Sequence, residues 1–181
     1  MQMSSHSGPR FPLIQLAPHH NLQKFSSDDH PGAQEIDEYL KSSALAEQAA
    51  GLSSVWIAID SQPSEADSLV AGYFTLSPLS VPLTTVVLAQ LGLQPVPYRA
   101  VGGYLLGRLG VASHLQRQSL GSALVASAIK IARQARGKAG GAFLAVGPKN
   151  DKLLGWYQSL DFGFQRLDTS SATKRRLVLR L

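Results

Sequence analysis

Residues 104–136 read YLLGRLGVASHLQRQSLGSALVASAIKIARQAR, and this stretch decides the fold. Its first eight residues form an apolar run broken only by two glycines and one arginine, which predicts a buried strand. Beyond residue 119, apolar side chains recur every three or four residues, which predicts a helix with one buried face. The predicted buried positions are Leu120, Leu124, Ala128, Ile131 and Ala135. The stretch therefore predicts a strand, a short polar turn and a long helix.

The polar turn at residues 116–122 stands where this helix begins. The first N–H groups of a helix lack intrahelical partners and the helix dipole adds partial positive charge, so the position suits an anion such as phosphate. Gly121 allows the backbone to approach a ligand closely. The turn also offers two small hydroxyl donors and one cation, Ser119, Ser122 and Arg117. The same residues are compatible with a plain crossover turn that binds nothing.

LLGRLGV followed by QRQSLGSALV resembles motif A of the GNAT acetyltransferases, whose pattern is Gln/Arg-x-x-Gly-x-Gly/Ala. The resemblance implies that the turn binds the pyrophosphate of acetyl-CoA and that the preceding strand binds the pantetheine arm. Gln116, Ser119 and Gly121 take the three motif positions. The implied acetyl-CoA contacts are Leu109, Gly110, Val111, Gln116, Arg117, Gln118, Ser119, Leu120, Gly121 and Ser122. A serine at 119 departs from the motif, and it fits only if its φ stays negative or the backbone accepts strain.

The rest of the chain has the GNAT order of a helix, a hairpin and then the motif-A strand. Residues 33–50 show helical periodicity with Gly51 at their end. Residues 78–97 contain four of the ten prolines and are predicted to be irregular, apart from a short helix at 88–93. The other predicted elements are strands at 13–16, 55–59, 69–76 and 141–146, a polar hairpin loop at 61–68, a helix at 150–160, and a closing hairpin of 162–167 with 175–181.

These elements predict an α/β protein with a mixed sheet, which contains both parallel and antiparallel strands (the α+β mixed-sheet type). The resemblance implies the GNAT acyl-CoA N-acyltransferase fold, a twisted mixed β-sheet with helices on both faces. We expect a single domain at residues 13–181 after a flexible N-terminal arm at residues 1–12.

The segment VGPKNDKLLGWYQSLDFGF, residues 146–164, resembles the closing motif of the same family. The resemblance implies that Tyr157 protonates the departing CoA thiolate and that Asn150 hydrogen-bonds the cofactor arm. Asp161 replaces the usual glycine of the following turn. The predicted inward positions of this helix are Leu153, Trp156, Tyr157 and Leu160. The alternative for Tyr157 is a core tyrosine whose hydroxyl is satisfied by the protein.

Charge is divided unevenly along the chain. Residues 1–97 carry three basic and nine acidic residues, whereas residues 98–181 carry fourteen basic and three acidic ones. A half this basic favours a polyanionic partner, because clustered cations attract polyanions and release their counterions. The alternative is a solvated basic face with no partner. The cations expected near RNA phosphates are Lys130, Arg133, Arg136, Lys138, Lys149 and Lys152.

A wider resemblance, over roughly residues 16–167, is to GNAT toxins. It is carried by HNLQKFSSDDHPGAQEIDEYLKSSAL at residues 20–45 and by the segments that lead into motif A. It implies acetylation of the α-amine of aminoacyl-tRNA, an enzyme restrained by a small ribbon-helix-helix antitoxin, and a possible homodimer. An α-amine has a pKa near 7–8, so it needs no dedicated base. Carboxylates that would serve if the first helix bordered the site are Glu35, Glu38 and Glu47.

Two other functions remain open, an N-acetyltransferase for a small-molecule or protein amine, and a catalytically weak acetyl-CoA-binding module. The chain has no cysteine, which excludes disulfides, thiolate metal sites and a cysteine nucleophile. Loop histidines beside Asp28 and Asp29 are expected to be solvated, so no metal is predicted. Residues 1–12 have no apolar signal core and no apolar run reaches ~20 residues, so we expect a cytoplasmic protein without a membrane partner.

Overall fold

Seven strands form one mixed sheet in the part of the chain that the computed structural model describes, residues 11–27, 31–60, 69–82, 84–167 and 175–181. Along the sheet the strands follow the order β1-β2-β3-β4-β5-β7-β6. β4 and β5 are parallel, whereas β1–β2, β5–β7 and β6–β7 are antiparallel, which confirms the predicted mixed α/β fold. The strands are β1 Leu13–Gln15, β2 Ser54–Asp60, β3 Leu69–Pro82, β4 Ala100–Val111, β5 Phe143–Val146, β6 Gln165–Arg166 and β7 Leu177–Arg180.

The helices follow the predicted order. The predicted helix at 33–50 is confirmed as a continuous helical path with a π-helical turn, Tyr39–Ser43, in its middle. Gly51 follows it with φ +71°, a conformation that glycine adopts at low energy. The α-helices are α1 Pro31–Glu38, α2 Ala44–Ala49, α3 Thr85–Leu91, α4 Leu120–Ala139 and α5 Asp151–Ser159.

The described residues fall into two compact units. The first contains the chain up to Phe74 together with Arg108–Leu124, and the second contains Thr75–Gly107 together with Val125–Leu181. The predicted hairpin loop at 61–68 lies outside the described residues. Residues 1–10 of the predicted arm at 1–12 lie outside them as well. The prediction of a single domain at 13–181 stays a prediction.

The first unit is organised around the fully buried ring of Tyr73 on β3. Phe25 meets this ring edge-on with centroids 5.6 Å apart, and Tyr39 stacks on it at 6.4 Å. A Cβ at Gly110 would lie 2.7 Å from the Tyr73 ring and 2.8 Å from Ile36 Cγ2, so β4 packs here only without a side chain. The aromatic core thus brings the first helix against the end of the motif-A strand.

The second unit has its own apolar core, to which β5 contributes Phe143 and Ala145 from one face. All four β5 residues are buried, as expected for a strand without charged residues. Its core side chains are Val81, Val87, Leu91, Phe143, Ala145, Leu167 and Val178. Gly103 brings β4 against this core, because a Cβ there would lie 2.8 Å from the Phe143 ring.

The prediction of an irregular chain at 78–97 is wrong at its N-terminal end, whereas residues 92–97 form no helix or strand, as predicted. β3 continues to Pro82, with Val81 buried and both Pro78 and Pro82 exposed. Prolines are tolerated at strand positions that need no ladder N–H, so they conceal an ordinary two-residue alternation. The short helix begins earlier than predicted, at Thr85, because Thr84 Oγ1 accepts the Val87 N–H at 3.2 Å and caps it.

Two predicted helix faces are partly wrong. On α4 the buried side chains are Leu120, Leu124, Val125, Ala128, Ile129 and Ala132, whereas Ile131 and Ala135 are only half-buried. The buried side is wider than one row of apolar residues, so Ile131 lies at its margin. On α5, Leu154 is buried and Leu153 is 40% exposed, because the helix begins at Asp151 and turns Leu154 and Tyr157 to the same side.

Candidate active site

The polar turn joins β4 to α4 through a short 3-10 helix, Ser113–Leu115. The first helical bond of α4 runs from the Ala123 N–H to the Ser119 carbonyl at 3.1 Å. The N–H groups of residues 120–122 therefore precede the first residue that can donate to an intrahelical carbonyl. They lie at the positive end of a twenty-residue helix.

Two side-chain-bearing residues of the turn have left-handed backbone conformations. Ser119 has φ +65° and Arg117 has φ +59°. Ser119 therefore takes the strained alternative that the sequence left open, at a cost of about 1–2 kcal/mol for an L-residue. Left-handed residues within a turn direct successive N–H groups toward one side, which creates a concave anion-binding surface.

The turn is held to the first unit by hydrogen bonds of its own side chains and backbone. The Gln116 amide donates to the carbonyl of Ser27, and to that of Val111 at 3.3 Å. The Ala112 N–H donates to Ala71 O at 2.8 Å, and the Ser113 N–H donates to Ser26 O at 2.9 Å. The side chain at the first motif position thus fixes the backbone of the turn.

Two more predicted contact residues direct their donors to carbonyls nearby. The Gln118 amide donates to His114 O at 2.9 Å, and the Ser122 hydroxyl donates to Ser119 O at 2.8 Å. Arg117 and Gln118 are exposed, whereas Leu120 is buried and contributes only its backbone to the turn surface. The turn therefore presents mainly backbone N–H groups and the Arg117 cation.

The strand before the turn extends past its parallel neighbour. The β4–β5 ladder ends where Leu106 pairs with Val146, the last residue of β5, whereas β4 continues to Val111. Residues 109–111 lie beyond that last pair. These are the residues whose backbone the resemblance assigns to the pantetheine arm.

Tyr157 lies in the second unit, on α5, and is 7% exposed. Its ring packs edge-on against Trp156, with centroids 4.8 Å apart, and against Phe164 at 5.9 Å. Burial raises the pKa of Tyr157 above its ordinary value, because a tyrosinate would lose its hydration there. The hydroxyl therefore carries its proton throughout the neutral range.

The two buried tyrosines of the first unit, Tyr39 and Tyr73, donate hydrogen bonds within the protein. The Tyr73 hydroxyl donates to Ile36 O at 2.7 Å, and the Tyr39 hydroxyl donates to Glu47 at 2.8 Å. Among the described residues, the buried side-chain polar atoms without a hydrogen-bond partner are Ser27 Oγ and Trp56 Nε1, and the Tyr157 hydroxyl is not one of them. The alternative of a core tyrosine whose hydroxyl is satisfied by the protein therefore stays open.

The ends of α5 have specific capping conformations. Asn150 Oδ1 accepts the Leu153 N–H at 2.9 Å and caps the helix, so its cap uses the amide oxygen and not the NH₂ group. After the helix, Asp161 has φ +51°, the left-handed conformation for which glycine is the usual residue. The aspartate therefore adopts the backbone conformation expected of the family glycine that it replaces.

The six cations predicted to lie near RNA are all exposed and all belong to the second unit. Four of them lie on α4, and the Arg136 guanidinium also donates to the Leu181 carbonyl. Lys130 and Arg133 border an open groove of about 450 Å³ with an apolar floor. The remaining lining residues are Ala126, Ile129, Gln134 and Phe162.

A cluster that the sequence did not predict lies in the first unit. The Arg108 guanidinium carbon stands 3.6 Å from the centroid of the Tyr39 ring. The Tyr39 hydroxyl donates a hydrogen bond to Glu47, one of the three carboxylates that the sequence offered as a general base. The other two, Glu35 and Glu38, are exposed. An arginine inside a buried strand is itself the signal, because a cation there requires a partner.

A profile of the acetyltransferase (GNAT) family matches residues 23–164, and the chain belongs to this family. Acetyl-CoA is the acetyl donor that this membership implies, and the protein is an acetyltransferase. Within the described residues, no helix is long and apolar enough to cross a membrane. In the same residues, no group of three or more histidine, aspartate or glutamate side chains could hold a metal ion.

Solved structures of AtaT and KacT share the fold. AtaT complexed with acetyl-methionyl-tRNAfMet is similar with a TM-score of 0.78 and 22% identity, over 94% of each chain. AtaTR bound with acetyl-CoA has a TM-score of 0.77 and 23% identity, over 94% of each chain. A tyrosine-to-phenylalanine mutant of KacT has a TM-score of 0.77 and 19% identity, over 95% of each chain. At these identities the likeness shows a common fold.

Proposed function

We propose that the protein transfers the acetyl group of acetyl-CoA to the α-amine of aminoacyl-tRNA, and that it acts in the cytoplasm as a toxin that blocks translation. The observation that carries the acceptor class is the set of exposed cations on α4 beside an apolar groove. Such a surface suits a polyanion by its charge. The fold shared with AtaT, which was solved with acetyl-methionyl-tRNAfMet, supports the same acceptor.

The donor is bound by backbone groups more than by side chains. In this proposal the N–H groups of the turn and the Arg117 cation bind the pyrophosphate of acetyl-CoA. The backbone of Leu109, Gly110 and Val111 binds the pantetheine arm, and the Asn150 NH₂ group adds a donor to it. Gln116, Gln118, Ser119 and Ser122 hold the turn in its anion-binding conformation through the hydrogen bonds described above.

Acetyl transfer needs a neutral amine and a stabilised leaving group. The amine nitrogen forms a bond to the thioester carbon, the carbon–sulfur bond breaks, and the CoA thiolate departs. Tyr157 gives its proton to that thiolate, and the proton lost by the amine returns to Tyr157 through water. Burial raises the pKa of Tyr157, so its hydroxyl is protonated at neutral pH when the thiolate forms.

This chemistry needs no dedicated base. An α-amino group has a pKa of about 7.7–8.0, so an appreciable fraction is already neutral at pH 7. The proposal therefore leaves Glu35 and Glu38 as solvent-exposed charges and Glu47 as the partner of Tyr39. Water carries the released proton.

The proposal includes a protein partner. AtaT has been solved with the antitoxin AtaR, and a KacTA complex has been solved with DNA. We propose that a small antitoxin of the ribbon-helix-helix type restrains this protein. A homodimer and a single catalytic domain over residues 13–181 complete the proposed organisation.

Transfer of labelled acetyl groups from acetyl-CoA to a mixed pool of charged tRNAs tests the proposal, with Tyr157→Phe measured in parallel. We expect label on aminoacyl-tRNA, and a kcat about 10²- to 10⁴-fold lower in the mutant with little change in acetyl-CoA affinity. Tyr104→Phe is the matched control, because the Tyr104 hydroxyl only donates to Gly140 O at 2.7 Å.

Three other outcomes would contradict the proposed function. If acetyl-CoA binds but RNA stays unlabelled, the acceptor is a small-molecule or protein amine. If acetyl-CoA binds and no amine is acetylated, the protein is a catalytically weak binding module. If acetyl-CoA does not bind, the assignment of the pyrophosphate turn is wrong.

A further inference from the structure

The motif-A strand carries one cation immediately before its proposed pantetheine segment. Arg108 is half-buried and lies with its guanidinium carbon 3.6 Å from the Tyr39 ring centroid. The distance is well within the ~6 Å over which a cation is attracted to an aromatic face. Tyr39 is 5% exposed, so the ring is a fixed surface for this cation.

The first helix covers the face of β4 that carries Arg108. Side chains alternate along a strand, so positions 108 and 110 share one face. Ile36 lies against Gly110, and Tyr39, one helical turn later, lies against Arg108. The π-helical turn that begins at Tyr39 interrupts the helix at this point, and such turns are frequent at functional sites.

Glu47 strengthens this arrangement from the far side of the ring. The Tyr39 hydroxyl donates to the Glu47 carboxylate at 2.8 Å and lies 3.3 Å from the Ser53 hydroxyl. Donation to a carboxylate increases the electron density of the ring, which strengthens its attraction for a cation. Stacking occupies the face of a guanidinium, whereas its N–H donors lie in the plane and point away from the ring.

Strand direction places this cation at one end of the donor. The pyrophosphate turn follows Val111, so an arm that runs from the turn along the strand passes Val111 first and Leu109 last. Its acetyl-bearing end therefore reaches the part of the strand that contains Arg108. The acceptor amine must approach that same end.

We infer that Arg108, held on the face of Tyr39, binds the oxyanion of the acceptor that stands next to the reacting amine. The inference rests on the proposed function. In an aminoacyl-tRNA that oxyanion is the phosphodiester before the terminal nucleoside, because the ester consumes the carboxylate of the amino acid. Arg108 is then a specificity-determining residue, and Tyr39 is the residue that positions it.

Three acceptors that carry different anions test this assignment. They are an amino acid esterified to adenosine, with no phosphate, the same amino acid on a dinucleotide with one phosphate, and the free amino acid with its carboxylate. For the wild type we expect a KM for the aminoacyl dinucleotide about 10- to 100-fold below that for the aminoacyl adenosine. Arg108→Gln should raise the KM for the aminoacyl dinucleotide to that for the aminoacyl adenosine.

Variants of Tyr39 separate positioning from folding. Tyr39→Phe keeps the ring and retains the preference, whereas Tyr39→Leu loses it together with the aromatic face. Arg108→Lys keeps the charge without the planar fork and restores part of the preference. Arg99→Gln, an exposed arginine elsewhere, is the control for charge alone, and circular dichroism checks that each variant is folded.

Each possible result either supports or overturns the role inferred for Arg108. If the wild type acetylates aminoacyl RNA and Arg108→Gln keeps the phosphate preference, the inference is overturned while the proposed function stands. If the preference that Arg108 controls is for the free carboxylate, the phosphate assignment is overturned. If the wild type acetylates no aminoacyl acceptor, the proposed function fails and the inference fails with it.

Discussion

Two of the predicted site residues, Ser119 and Tyr157, have an unusual backbone conformation or environment. Ser119 stands at a motif position where the family has glycine, and it adopts φ +65° all the same. The tertiary structure therefore maintains a conformation that the side chain disfavours. At Tyr157 the unusual feature is burial, since the residue is only 7% exposed and its pKa is raised by the loss of hydration.

Replacement of Ser119 by glycine should stabilise the protein. Glycine adopts positive φ without strain, so Ser119→Gly should raise the free energy of unfolding by up to about 1 kcal/mol, after its greater unfolded-state entropy is deducted. Urea unfolding measures the change. Ser122→Gly is the matched control and should be destabilising, because it weakens the first turn of α4 and removes the bond to Ser119 O. A destabilised Ser119→Gly would show that the serine side chain matters more than the strain.

The pH dependence of acetyl transfer should follow the acceptor and not Tyr157. The rate should rise as the α-amine loses its proton, with an apparent pKa of about 7.7–8.0. Burial raises the pKa of Tyr157, so this acid remains protonated above pH 10, where an ordinary tyrosine is ionised. The profile of kcat/KM should therefore show no falling limb from Tyr157 between pH 8 and about pH 10. A decline in that range that is absent from Tyr157→Phe would contradict the assignment.

At the scale of elements, the close contact between β3, β4 and the first helix positions the end of the motif-A strand. Gly110 allows the Tyr73 ring and Ile36 to lie against β4. The same packing brings Tyr39 over Arg108. The packing of the first helix on β4 thus produces a contact between two residues far apart in the chain, Tyr39 and Arg108.

Gly110→Ala should be destabilising by about 1–3 kcal/mol, the usual effect of overpacking a filled core. The added Cβ would lie 2.7 Å from the Tyr73 ring and 2.8 Å from Ile36, and the ring is fully buried and cannot move aside. Thermal and urea unfolding measure the effect. Gly102→Ala in the same strand is the control, because nothing lies within 4 Å of its Cβ, and it should be close to neutral. Equal stability of the two variants would show that the Gly110 contact is loose.

At the scale of the whole molecule, charge separates the two halves of the chain. Nine of the twelve acidic residues precede residue 98, and fourteen of the seventeen basic residues follow it. Four of the exposed cations of the basic half lie on α4, whose opposite side is buried. One side of α4 therefore packs in the core, and the other side carries cations of the surface proposed for RNA.

Binding of aminoacyl-tRNA should weaken as salt is added. Each phosphate contact contributes about 0.7–0.9 to the slope of log K against log salt concentration, so the pair Lys130→Gln and Arg133→Gln should lower that slope by up to about 2. Fluorescence anisotropy with labelled tRNA measures it. Lys24→Gln with Lys41→Gln makes the same charge change in the acidic half and should leave the slope unchanged. An identical slope in both double variants would place the RNA elsewhere.

The sequence by itself determined the local elements and the family. Periodicity and punctuation predicted α4, β5, α5 and the closing hairpin, because neighbouring residues carry those signals. The motif-A and closing segments resembled those of the GNAT family, which indicated an enzyme that uses acetyl-CoA. Charge counting identified the basic half without any knowledge of the fold.

Only the tertiary structure decided which faces are buried and which distant residues meet. The inward turn of Leu154, the extension of β3 through two prolines and the left-handed Ser119 depend on what packs around them. The pairing of Arg108 with Tyr39 joins positions 69 residues apart, and no local pattern encodes it. The physical reason is that burial and side-chain contact are properties of the assembled core, whereas helical and strand periodicity are properties of the chain.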